Sequence, residues 1–167
     1  MAFQSTSNIA MYPQEVALLE EIFTYLTVST TTTPPPLLTV AHIEAIMSIL
    51  ERWPTSQRFP LIDLSRLVLA FCPKAPFDTP GLKVSFIEAL FASVGWGDGA
   101  QAEEAAGIVG KVKETNTTLM LKALANAVGE GVGGNEEAKK ILELIGRVPY
   151  RSLVKAQKVA FATVLFK

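Results

Sequence analysis

Two stretches limit what this chain can fold into more than any others. "LMLKALANAV", Leu119 to Val128, and "VAFATVLFK", Val159 to Lys167, both pack small alanines among large aliphatics and echo each other weakly. A helix so apolar around its circumference needs cover on two sides, which favours the central layers of stacked helical repeats over a four-helix bundle. The expected fold is all-α, an α-solenoid of about eight or nine helices.

The remaining segments agree. Pro13 to Thr27 opens on proline and sets Val16, Leu19, Ile22, Phe23 and Leu26 at helical spacing, with Glu15, Glu20 and Glu21 elsewhere. "VSTTTTPPPLL", residues 28–38, holds three consecutive prolines and reads as a surface linker inside a single 1–167 domain. Thr39 can cap a helix to about Arg52 with an Ile43, Ile46, Met47, Leu50 stripe, and Pro54 stops it. Pro60 suits the first turn of a Leu61–Phe71 helix, which "CPKAPFDTP" closes. Asp78 or Thr79 would cap the next helix, where Leu82, Phe86, Leu90 and Val94 recur every fourth residue. Asp98, Thr115, Asn135 and Ser152 are cap candidates for four further helices, and Gly129 to Gly134 mark a break. No segment sustains period-two alternation between hairpin turns.

Apolar residues make up 49% of the chain, enough for a core without metal or disulfide. With 15 basic and 16 acidic residues the net charge is −1, so no overall attraction to nucleic acid or anionic membrane is expected, and any charge-driven recognition must come from a local patch. Cys72, the sole cysteine, excludes an intrachain disulfide and fits a reducing compartment, cytoplasmic or nuclear. Neither a membrane-spanning run nor a leader-like pattern in Met1–Met11 is present.

Enzyme chemistry finds no constellation. His42 has no second histidine with which to build a metal site and reads as a satisfied helix residue. Cys72 sits at a helix C-terminus, where the dipole raises a thiol pKa. "GEGVGG" lacks the Lys-Ser/Thr of a phosphate loop, and Trp96 in "GWGDG" suits core packing and recognition equally. No catalytic residue, metal or cofactor is expected. Arg147, Arg151, Lys155 and Lys158 recur every three to four residues, so a continuous helical path would put them on one side, either as a solvated face or as a site for an acidic peptide. Arg66 likewise has two readings: a surface ion pair with Asp63, or a peptide contact.

"ILERWPTSQRFPLIDLSRLVLAFCP" resembles the opening signature of the PUL domain: tryptophan-proline, a polar gap, Phe/Leu-Pro, an aliphatic-Asp pair, then arginine and aliphatics. "TNTTLMLKALANAV" is similar to the family's Thr-Asn, Leu-Arg-x-Leu-x-Asn element, and "VAFATVLFK" to its Ala-Thr-Leu-Leu-Asn element, in family order. The resemblance implies an Armadillo-like array acting as an adaptor in ubiquitin-dependent processes. Its basic concave face would bind the acidic C-terminal tail, with an aromatic near its end, of the AAA ATPase called valosin-containing protein. By position it nominates Arg66 with Asp63 as its orienting partner, Lys122 in place of arginine, Asn126 and Lys158. Arg151 joins this set through the basic run. Ala156 and Lys167 stand where the family has asparagine. Family domains are longer, so the resemblance implies that this chain covers roughly the first two thirds, with apolar surface left at its C-terminal end for self-association. The alternative is an interaction module of a multidomain fungal protein, thioredoxin-like or deSUMOylating-peptidase-like, with another partner.

Overall fold

The computed structural model describes residues 10–27, 37–72, 76–96, 110–129 and 135–166. Among them lie seven α-helices and no strand: α1 (Pro13–Thr27), α2 (Val40–Arg52), α3 (Phe59–Phe71), α4 (Leu82–Ser93), α5 (Lys111–Gly129), α6 (Asn135–Gly146) and α7 (Lys155–Leu165). The helix expected from Asp98, most of the 28–38 linker and the glycine run at 130–134 fall outside the described residues.

Local chemistry accounts for several boundaries. Thr39 is extended and sits at the N-cap of α2, and its backbone N–H donates to Nδ1 of His42 at 2.9 Å. That bond makes Nδ1 the acceptor, so Nε2 carries the hydrogen that reaches Glu21 Oε2 at 2.8 Å and ties α2 to α1. Pro60 occupies the first turn of α3, where its missing N–H costs nothing. Four expected caps are corrected. Asp78 lies in a 3₁₀ turn, Pro76–Asp78, and Gly81 precedes α4 at φ 81°, a left-handed conformation that glycine adopts without steric cost. Thr115 is inside α5, donating to the Lys111 carbonyl at 2.8 Å. Ser152 ends the 3₁₀ turn Tyr150–Ser152, and α7 starts after Val154, whose N–H donates to the Gln157 side chain at 3.0 Å. Asn135 opens α6 from inside the helix.

Successive helices alternate between two layers. Helices α2, α4 and α6 pack side by side in one; α3, α5 and α7 form the other; α1 closes against α2 and α3. This is a helical-repeat arrangement. Leu82, Phe86, Leu90 and Val94 are all buried, as their spacing demands, and Phe86 and Phe91 are the largest side chains fully enclosed. Burying one such side chain contributes about 1.5–3 kcal/mol.

Two helices depart from the expected pattern. On α1, Phe23 faces solvent and Glu15 is buried. The cause lies on α2: both Arg52 Nη atoms donate to the Glu15 carboxylate at 2.7 Å, so the acid is drawn inward as half of a bidentate pair. Helix α5 is sandwiched between α3 and α7 as expected, whereas α7 packs against α5 and leaves Val159, Leu165 and Phe166 exposed.

Candidate functional site

The outer surface of the α3–α5–α7 layer carries a depression of about 320 Å³. Arg66 comes from α3; Lys122 and Asn126, four residues apart and therefore on one stripe, come from α5. Ala156, Ala160 and Thr163 repeat along α7 and leave the space, while Val159 gives an apolar wall. Lys122 is exposed and the Arg66 side chain is 29% exposed.

The rim is oriented by two bonds. Arg66 Nε donates to Asp63 Oδ1 at 2.7 Å, one helical turn back. Asn126 Nδ2 donates to the Arg66 backbone carbonyl at 3.0 Å, which fastens α5 to α3 and fixes the direction of the amide. Among the described residues nothing bonds the Asn126 side-chain oxygen. A cationic rim, a fixed amide acceptor and an apolar wall suit an extended acidic segment: carboxylates to Arg66 and Lys122, a backbone N–H to Asn126, an apolar side chain over the alanines.

Three of the five nominated residues, Arg66, Lys122 and Asn126, are thus brought together. Arg151 and Lys158 do not line the depression. The chain leaves helical geometry after Gly146 and passes through the Tyr150–Ser152 turn, so Arg147, Arg151, Lys155 and Lys158 share no continuous helical stripe. Arg151 is exposed in that turn, and Lys158 Nζ lies 5.4 Å from the Tyr150 ring centroid. Sequence reasoning missed Val159 and Thr163 as lining residues. Their i, i+4 spacing was visible, but its relation to Arg66 depends on how α7 lies against α5.

The other singled-out residues have structural partners. His42 is buried between Thr39 and Glu21. Cys72 is buried, and burial pushes its thiol up to about 11, which leaves almost no thiolate near neutrality. Trp96 packs edge-on against Phe91 at 5.8 Å and joins the core. Among the described residues no group of acidic, histidine or cysteine side chains is arranged to hold a metal, and no helix is long and apolar enough to cross a membrane.

Two layers of alternating helices with a cation-rimmed depression on one outer surface define a helical-repeat protein. Within that class the chain belongs to the PUL domain family, whose model matches residues 1–167. Membership makes it a protein-interaction module. No curated protein and no solved structure matches the chain.

Proposed function

We propose that the chain is a non-enzymatic adaptor whose α3–α5–α7 depression takes the acidic C-terminal tail of the AAA ATPase valosin-containing protein, in ubiquitin-dependent processes of the cytoplasm or nucleus. The observation that supports this reading is the convergence of Arg66, Lys122 and Asn126 on one depression, from helices separated by more than one element. Tail carboxylates meet Arg66 and Lys122, the fixed oxygen of Asn126 accepts a backbone N–H, and the aromatic side chain lies against Ala156, Ala160 and Val159. Self-association belongs to the same reading, through the exposed Leu165 at the end of α7 and Phe166 just after it.

Isothermal titration with a synthetic tail peptide tests it. Binding should weaken with salt and fall about tenfold in Arg66→Ala. Unchanged affinity in that variant removes Arg66 from the site, and a peptide that does not bind, with a different protein captured at low salt, points instead to the multidomain interaction module with another partner.

A further inference from the structure

The other layer carries a larger depression, about 460 Å³, between α2 and α4. Met47 and Leu50 of α2 and Ala89 and Ala92 of α4 supply its apolar lining. The two alanines, three residues apart, leave that side of α4 low enough for another backbone to approach closely.

The exposed charges flanking this trough are carboxylates, whereas the α3–α5–α7 depression has a cationic rim. Arg58 lines one end, with Nε and Nη1 turned into the fold: Nε donates to the Trp53 carbonyl at 2.7 Å, and Nη1 to the Ser93 carbonyl at 3.1 Å and Thr55 Oγ1 at 3.3 Å. Glu51, also in the lining, is exposed. On the α2 stripe that carries Met47 and Glu51, Glu44 lies one turn back, and on α4 Glu88 lies one turn before Ala92. Both are exposed. Among the described residues, no hydrogen bond or ion pair engages Glu44, Glu51 or Glu88. Glu51 in the lining, with Glu44 and Glu88 one turn away on the same two helices, thus flanks a largely apolar trough with carboxylates that carry no ion pair among the described residues.

We propose that this trough docks a basic amphipathic helix of a protein partner. Apolar side chains at i, i+3 and i+4 of that helix enter between Met47, Leu50, Ala89 and Ala92, and flanking lysines or arginines meet Glu44, Glu51 and Glu88. An acidic segment suited to the Arg66–Lys122 depression is repelled here, so one array would hold two partners of opposite charge on its two layers.

The test is a titration of the isotope-labelled chain with a helical Leu/Lys peptide of about 18 residues, long enough for five turns, beside a Leu/Glu peptide of the same pattern. Expected are amide shift changes concentrated on α2 and α4 with the Leu/Lys peptide alone. Affinity should drop about tenfold in the exposed triple variant Glu44→Gln, Glu51→Gln, Glu88→Gln. Ala92→Trp, also at an exposed position, should block binding with every charge retained, which separates a shaped trough from diffuse attraction. Shift changes on α3, α5 and α7, unchanged affinity in either variant, or concentration-dependent shifts on α2 and α4 without peptide, which would mean a second copy fills the trough, each overturn the proposal.

Discussion

Asn126 donates its side-chain amide to the backbone carbonyl of Arg66 at 3.0 Å, so the residue nominated to hold a peptide backbone also joins the two helices that form the rim of the depression. Asn126→Ala should lower stability by about 1 kcal/mol, the usual net worth of one hydrogen bond, seen as a lower urea midpoint with unchanged slope. Asn126→Asp should cost more, because a carboxylate oxygen replaces the donor facing that carbonyl.

Asp63 and Arg66 form a part-exposed pair one turn apart, with side chains 35% and 29% exposed. A double-mutant cycle of Asp63→Ala and Arg66→Ala should give a coupling energy in stability of only about 0.2–0.5 kcal/mol, since solvent screens the pair. In tail-peptide binding, Arg66→Ala should weaken affinity more than Asp63→Ala, which merely loosens the guanidinium. Equal losses would place Asp63 itself against the peptide.

Acid should unlock α1 from α2. The Arg52 guanidinium holds the Glu15 carboxyl below its ordinary value of 4.5, and the Tyr12 ring lies 4.6 Å from the guanidinium carbon. A carboxyl whose folded pKa is depressed contributes stability that is fully present above its unfolded value and is lost as pH falls through the folded one. Glu15→Gln should therefore cost about 1–2 kcal/mol at neutral pH and flatten the loss of stability below about pH 4.5. Urea midpoints measured across that range check both.

Cys72 should react slowly. With its thiol pushed up to about 11 and its side chain buried, maleimide labelling of the folded chain at neutral pH should trail that of the urea-unfolded chain by orders of magnitude. Rapid labelling of the folded chain would reopen the question of a nucleophilic cysteine.

Phe166 is 90% exposed and Leu165 61%, side by side at the end of α7. Sedimentation velocity should show association that rises with concentration and is reduced by Leu165→Ser with Phe166→Ser, both at surface positions that leave the core unchanged. A chain that stays monomeric at high concentration removes self-association from the proposed function.

Elements governed by interactions within a few residues were legible in the sequence: the Thr39 boundary of α2, Pro60 in the first turn of α3, the four-residue repeat that buries α4, and the need of α5 for cover on two sides. The resemblance placed Arg66, Lys122 and Asn126, and the fold brings them to one depression. Other features depend on groups distant in the chain. Glu15 is buried because Arg52 reaches it from the next helix. Helix α5 extends back past Thr115 because Asn116 donates to the Thr55 carbonyl and Gln157 to the Glu114 carbonyl, anchoring its first turns to the 3₁₀ turn Thr55–Gln57, between α2 and α3, and to α7. Period and capping act over one or two turns and can be read from the sequence, whereas which carboxylate finds an arginine, and which small side chains leave a trough between helices, is decided only when the layers pack.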